Sequence, residues 1–106
     1  MKSWIWLALS LLITFPCRAA DVPSPARQAE LENLLTHDCG SCHGLRMRGG
    51  LGPALLPEAL SSRSPEYLTA TILHGRPGSD MPPWRDLLTP AEARWIANRL
   101  IEGAGL

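Results

Sequence analysis

The sequence predicts a small all-α domain, and three observations lead to that class. The chain has 106 residues, which is the length of one small domain. Apolar residues recur at helical spacing in three segments, and each segment starts at a proline or a capping residue. No run of the sequence alternates apolar and polar residues with the period of two that a half-buried strand requires. We therefore expect helices and no strands.

The first nineteen residues differ from the rest and predict a secretory signal peptide. A basic residue near the start precedes an almost unbroken apolar run over the twelve residues from Trp4 to Phe15, which ends at Pro16. A membrane span needs about twenty apolar residues, so a retained anchor is the less favoured alternative. We expect cleavage after Ala19. The resulting division is a signal peptide at 1–19, a short linker at 20–25 and one domain at 26–106.

The chain that remains after this cleavage is nearly neutral and poor in aromatic residues. It contains eight arginines, no lysine and ten acidic residues, a formal charge of −2. This charge argues against a surface for nucleic acid, and the ordinary apolar content argues against a disordered tail. Its aromatic residues are Tyr67, Trp84 and Trp95. Small domains with so thin a core often recruit a metal, a disulfide or a cofactor, so we expect one of these.

The first predicted helix follows Pro25 and runs through Thr36. It is amphipathic, because its apolar residues recur at roughly helical spacing with glutamates between them. These apolar residues are Ala29, Leu31, Leu34 and Leu35. The helix leads directly into the cysteines discussed below.

Two further helices are predicted from their end signals. The second runs from about Pro65 to His74, because Ser64 can cap its start and Gly75 follows as a stop. The third starts at the capping box Thr89-Pro90-Ala91-Glu92 and ends at Gly103. Its apolar positions are Trp95, Ile96 and Leu100.

The run Cys39-Gly40-Ser41-Cys42-His43 follows the first helix and contains both cysteines of the mature chain. Cys-x-x-Cys-His is the attachment pattern of haem c. Two thiols at this spacing reach neighbouring vinyl groups on one edge of a porphyrin, and the next imidazole reaches the iron from the same side. A redox-active pair, half of a zinc site and a structural disulfide are the alternatives. We favour one covalent haem, with His43 as an iron ligand.

A low-spin haem iron needs a second ligand opposite His43, and the candidates are Met47, His74 and Met81. Met47 has a tether of only about 14 Å at full extension, which leaves little chain to round the ring. His74 ends a predicted helix. Met81 lies 38 residues after His43, between two glycines and a stiff Pro-Pro pair. We expect Met81 to be the ligand, and Met47 to be an apolar residue of the loop or pocket.

Taken in order, these motifs resemble those of the class I c-type cytochromes. The similarity extends from about Ala26 to Glu102. Within it, the loop sequences resemble more narrowly those of the small periplasmic cytochrome c associated with the haem-d nitrite reductase of denitrifying bacteria. The runs that carry this narrower resemblance are Gly49 to Pro53, His74 to Gly78 and Met81 to Trp84.

The resemblance implies a fold of three main helices around one covalent haem c. It implies that Gly52 lets the backbone approach the ring and that the carbonyl of Pro53 accepts the proton of the His43 imidazole. It also implies that Trp84 and Tyr67 contact the macrocycle or a propionate, although both also suit the core.

The implied function is electron transfer in the periplasm and not catalysis. The expected partners are redox proteins, among them the haem-d nitrite reductase or an enzyme that matures its cofactor, with no nucleic acid and no membrane after cleavage. Two alternatives remain: a haem-based sensor in which a gas displaces Met81, and a maturation partner without a redox role. Four loop arginines are candidates for a docking rim, for propionate partners or for plain solvated charges: Arg46, Arg48, Arg76 and Arg85.

Overall fold

The computed structural model describes residues 22–103, and in this part of the chain it contains helices and no strand. The predicted signal peptide lies outside the described residues. The predicted all-α class is confirmed. The elements are α1 (Pro25–Leu34), a π-helical turn (Leu35–Cys39), α2 (Gly40–His43), α3 (Pro57–Leu60), α4 (Pro65–His74) and α5 (Pro90–Glu102).

The first helical segment is longer than the sequence predicted. Ser24 caps its start through its side-chain oxygen, and Pro25 occupies the first helical position. The expected end at Thr36 is wrong, because the chain widens into the π-helical turn and returns to α-helix as far as His43. Gly44, with φ of 90°, ends the segment. The continuous helix therefore carries the whole cysteine motif.

The helices α4 and α5 begin and end where their end signals predicted. The hydroxyl of Ser64 accepts a hydrogen bond at the start of α4, and Gly75 ends that helix with φ of 68°. Thr89 and Glu92 form both hydrogen bonds of the capping box of α5. Gly103 ends α5 in the left-handed conformation. The single turn α3, which begins at a proline, was not predicted.

The core forms where α5 packs against α4, α1 and α3. Leu31 of α1 and Ile96 of α5 are its largest fully buried side chains. Trp84 and Trp95 pack against its edge. The other buried apolar residues are Leu35, Met47, Leu60, Leu68, Ile72, Leu73, Leu88, Ala93, Ala97 and Leu100. Among the described helices, none is both long enough and apolar enough to cross a membrane.

Ion pairs also connect α5 with α1 and α4. Each pair joins an arginine on one helix to a glutamate on another, so the pairs fix the relative positions of three helices. They are Arg27 with Glu92 at 2.6 Å, Arg94 with Glu66 at 3.0 Å, and Arg99 with Glu32.

Candidate haem site

The two cysteines lie one helical turn apart at the end of the first helical segment. They form no disulfide with each other; Cys39 is half-buried and Cys42 is exposed. Burial, helped by the nearby charge of Asp38, raises the pKa of Cys39 to about 11. Within residues 22–103, no three His, Cys, Asp or Glu side chains cluster as a metal site.

His43 is held by the carbonyl of Pro53. The Nδ1 atom of His43 lies 2.7 Å from the Pro53 oxygen, so Nδ1 is the nitrogen that donates. This leaves Nε2 as the nitrogen that can bind iron. A Cβ atom on Gly52 would lie 2.8 Å from Nδ1 and Cε1 of the same ring. Glycine is therefore required beside the imidazole.

The loop after His43 folds back onto α2 through its main chain. The N–H of Gly49 donates to the carbonyl of His43 at 2.8 Å, and the N–H of Gly52 donates to that of Cys42 at 2.8 Å. A Cβ atom on Gly50 would lie 2.7 Å from the Cys42 oxygen. Sequence reasoning missed these contacts. The signal for them was the cluster of glycines at 49, 50 and 52.

Met47 is the buried side chain of this loop. It is 3% exposed and belongs to the core, as expected for an apolar loop residue. Its φ of 57° is unusual for a residue with a side chain and costs about 1 kcal/mol or more. Burial of a methionine side chain contributes about 1.5–3 kcal/mol, which offsets that strain.

Met81 lies in the segment 75–87 after α4, which we call the strap, and the main chain at Met81 packs closely against Gly75. The N–H of Arg76 donates to the carbonyl of Met81 at 3.1 Å, and Ser79 Oγ accepts from the N–H of Met81 at 3.3 Å. A Cβ atom on Gly75 would lie 2.6 Å from the Met81 oxygen. The sequence predicted Gly75 as a helix stop. It did not predict that the main chain of the strap packs closely against this residue.

The far end of the strap is tied to the last turn of α4. The N–H of Trp84 donates to the carbonyl of Ile72 at 3.0 Å, and the N–H of Arg85 donates to that of Leu73 at 3.2 Å. These bonds satisfy carbonyls that a helix end leaves without partners. The half-buried Met81 is therefore held between two fixed points.

The remaining candidates occupy different environments. Tyr67 is 41% exposed on α4, and the guanidinium of Arg63 lies 4.8 Å from the centre of its ring. Trp84 is half-buried and packs against the core. His74 is exposed at the end of α4. The predicted contacts of Tyr67 and Trp84 with a macrocycle stay predictions.

The residues of this region fit a covalently attached haem. Two reachable thiols and an imidazole with a free Nε2 follow one another on one helix, and the main chain at Gly52 leaves room for a close approach. Leu45, Leu51 and Leu87 in the flanking loops are largely exposed, and Leu51 is 92% exposed. Such side chains suit contact with an apolar ring.

Comparison with known proteins agrees with this chemistry. The family model of the cytochrome c oxidase cbb3-type subunit III matches residues 26–98. Cytochrome c55X of Pseudomonas aeruginosa is 54% identical over 94% of this chain and 84% of its own length. Cytochrome c55X of Paracoccus denitrificans is 51% identical over 91% and 93%, respectively. The chain belongs to the c-type cytochromes. Its cofactor is covalently attached haem c, and Cys39 and Cys42 fit the attachment motif.

Solved structures extend the relationship of this cytochrome. The c-type cytochrome NirC has a TM-score of 0.75 and 59% identity, over 76% of this chain and 95% of that one. The expected relation to the nitrite reductase-associated cytochromes and the small cytochrome fold are thus confirmed. Dihydro-heme d1 dehydrogenase NirN, in complex with DHE, matches at a TM-score of 0.62 and 40% identity over 66% of this chain, but over only 15% of its own length. This electron-transfer protein therefore resembles one part of that larger enzyme.

Proposed function

We propose that this cytochrome carries single electrons between redox proteins of the periplasm, with His43 and Met81 as its two iron ligands. Bound haem c supplies reversible one-electron exchange. The observation that supports the proposal is a pair of separate anchors. Pro53 holds the ring of His43, and Gly75 seats the main chain of Met81.

His43 would present Nε2 to the iron while Nδ1 keeps its proton on the Pro53 carbonyl. The 2.7 Å contact selects the tautomer and the ring orientation. A ligand held in this way moves little when the charge of the iron changes, which suits an electron carrier.

Met81 is the best of the three candidates for the second ligand. Met47 is 3% exposed and packed in the core, so its sulfur would have to leave that packing to reach a metal. His74 sits exposed at the end of a helix. Met81 is half-buried in a strap fixed at both ends. A thioether ligand raises the reduction potential, and two protein ligands leave no open position for a substrate. The chain would then act as a carrier and not as an enzyme.

The partner we propose is an enzyme of the haem d1 system. Support comes from the relatives named above, one of which is a dihydro-heme d1 dehydrogenase. A dehydrogenase that removes two electrons needs two encounters with a one-electron carrier, whereas a nitrite reductase needs electrons delivered to it. Export through the predicted signal peptide would place the carrier in the periplasm, where such a partner can meet it.

The ligand assignment is tested on the attached holoprotein. We expect the methionine-to-iron charge-transfer band of the oxidised protein to disappear in Met81→Ala and to survive in Met47→Leu, which removes the other sulfur but keeps an apolar side chain. Reduced Met81→Ala should bind carbon monoxide and the reduced parent should not. A band that survives in Met81→Ala would refute the assignment. A parent protein that binds carbon monoxide readily would favour the gas-sensor alternative.

A further inference from the structure

The proposed function leaves one well-packed residue beside the haem site without a role. Between residues 44 and 54, Met47 is the residue whose side chain is buried, and its neighbours in this loop are exposed or half-buried. The rest of the loop is held by main-chain hydrogen bonds. The loop therefore has a single side-chain anchor in the core.

The backbone at Met47 makes this anchor unusual. In the part of the chain that the structure describes, Met47 is the only residue other than glycine with a positive φ, at 57°. Glycine adopts this conformation without strain and occurs on both sides, at Gly44 and Gly49. A glycine at 47 would relax the backbone but remove the side chain. With methionine at position 47, the backbone is strained, but the buried side chain that anchors the loop is present.

Met47 also joins the two ends of the loop. Its N–H donates to the carbonyl of Gly44 at 2.9 Å, and its carbonyl accepts from the N–H of Leu55 at 2.8 Å. Gly44 directly follows His43, and Leu55 lies two residues after Pro53. The anchor thus connects the residue after the imidazole with the segment that carries the carbonyl bound to it.

We propose that Met47 is a positioning residue that holds the Pro53 carbonyl against Nδ1 of His43 and so lowers the reduction potential of the haem. The inference rests on the proposed function, because it requires His43 to bind the iron. A carbonyl that accepts the Nδ1 proton makes the imidazole a stronger electron donor. A stronger donor favours the ferric state. Loosening the anchor should therefore raise the potential.

The test compares four variants of the holoprotein. Met47→Ala and Met47→Gly remove the anchor, and the glycine variant also removes the backbone strain, so that at least one of the two should fold. Met47→Leu restores an apolar side chain of similar volume. Leu31→Ala is the matched control, because it opens the core on α1 about 18 Å along the helical segment from His43.

Two measurements report on the imidazole directly. One is the midpoint potential, and the other is the solvent exchange of the His43 ring proton, followed by NMR in the ferrous protein. In Met47→Ala or Met47→Gly we expect a higher potential and an exchange rate at least tenfold faster. Met47→Leu should return both values close to those of the parent. Leu31→Ala should lower the melting temperature with little change in either value.

Unchanged potential and exchange in both anchor-free variants would overturn the inference. It would equally fail if Leu31→Ala moved both values as far as Met47→Ala does, since the effect would then be general loosening. A parent protein whose oxidised and reduced optical spectra are not those of an imidazole-ligated haem would instead refute the ligation by His43, which is a failure of the proposed function. The two failures are thus distinguishable.

Discussion

Arginines and leucines have different environments in the helices and in the two loops at the haem site, which are residues 44–54 and the strap. Arginines of α1 and α5 form ion pairs with glutamates of neighbouring helices. In the described part of the chain, none of the four loop arginines lies within ion-pair distance of a carboxylate: Arg46, Arg48, Arg76 and Arg85. Leucines of the helices are buried, or half-buried at Leu34, whereas three leucines of the loops are exposed: Leu45, Leu51 and Leu87. The helices thus pair and bury most of these side chains with one another, whereas the loops leave theirs exposed to solvent.

The loops also differ from each other in how they are held. The first loop is held to α2 by glycine N–H groups and to the core by one buried side chain, Met47. The strap is held by the carbonyl ends of α4 and by the close approach at Gly75. The first loop contains arginines and no acid, whereas the strap also contains Asp80 and Asp86. The positive character of the site is therefore concentrated beside His43.

The largest expected effect comes from breaking the link between scaffold and cofactor. Cys39→Ala combined with Cys42→Ala should leave a largely unfolded chain, because a core with so few aromatic residues needs the apolar surface that an attached haem would supply. Far-UV circular dichroism during heating measures this. Ser41→Ala, between the two cysteines, is the control and should fold as the parent does. A cooperative thermal transition in the haem-free double variant would show that the scaffold suffices alone.

The second prediction separates the cost of backbone strain from the cost of a steric contact at two glycines of the strap. Gly75 and Gly78 both have positive φ, at 68° and 79°, but a Cβ atom meets the strap main chain only at Gly75 and has nothing within 4 Å at Gly78. Gly78→Ala should therefore cost about 1 kcal/mol of unfolding free energy through backbone strain alone. Gly75→Ala should cost about 3 kcal/mol and weaken the methionine charge-transfer band. Equal losses in the two variants would mean that Gly75 is not the seat of Met81.

A smaller effect tests whether the loop arginines serve a partner. Arg48→Glu with Arg76→Glu should slow electron transfer to a haem d1 enzyme roughly tenfold at low ionic strength, because exposed charges steer association. Added salt should reduce this difference, since exposed charges are screened over about 8–10 Å. The spectrum and the potential should change little.

The charge-matched control for this pair uses arginines outside the two loops at the haem site. Arg63→Glu with Arg94→Glu makes the same change in net charge, next to Tyr67 and Glu66. This variant should slow transfer less than the loop variant does. If both pairs slow transfer equally, the effect follows from net charge, and the loops are not a docking face.

The smallest effect concerns the scaffold and its pH dependence. Burial opposes ionisation of Glu92, but hydrogen bonds from Arg27 and Thr89 outweigh it, so the pKa of Glu92 lies below its usual value. A lowered native pKa stabilises the fold above the unfolded-state pKa of about 4.3, and this contribution is lost as pH falls through the native pKa. Glu92→Gln should cost about 1 kcal/mol at pH 7 and flatten the loss of stability in acid.

Glu58→Gln is the control for this last change. Glu58 is exposed on α3, and no ion pair involves it within residues 22–103. Its removal should leave the unfolding free energy within about 0.5 kcal/mol of the parent value at pH 7. Chemical denaturation between pH 3 and pH 7 compares the two variants. Identical acid profiles for both would show that the pair of Glu92 with Arg27 adds nothing measurable.

The helix ends and the haem motif could be predicted because they depend on residues close together in the chain. The capping box of α5 joins Thr89 to Glu92, and the stop at Gly75 needs only that residue and the helix before it. Cys-x-x-Cys-His is likewise five consecutive residues. The all-α class, the haem c cofactor and the starts of α4 and α5 follow from such local patterns.

The end of the first helix was misjudged at Thr36 because nothing local decides it. Apolar periodicity fades there, and neither a glycine nor a proline occurs before Gly40. Whether the chain frays or continues through a π-helical turn depends on what packs against it. The loop Gly44–Pro53 does pack there, through hydrogen bonds to Cys42 and His43.

By itself the sequence determined the chemistry of the site: the thiols, the imidazole, the candidate sulfurs and the glycines near them. Tertiary structure alone decided that Met47 is packed in the core with strained φ, that Gly75 seats Met81, and that Arg27 meets Glu92 across 65 positions. Local hydrogen bonds form between atoms that a few covalent bonds already keep near each other. Contacts between distant residues depend on the path of the whole chain, because only that path determines which side chains meet and which remain exposed.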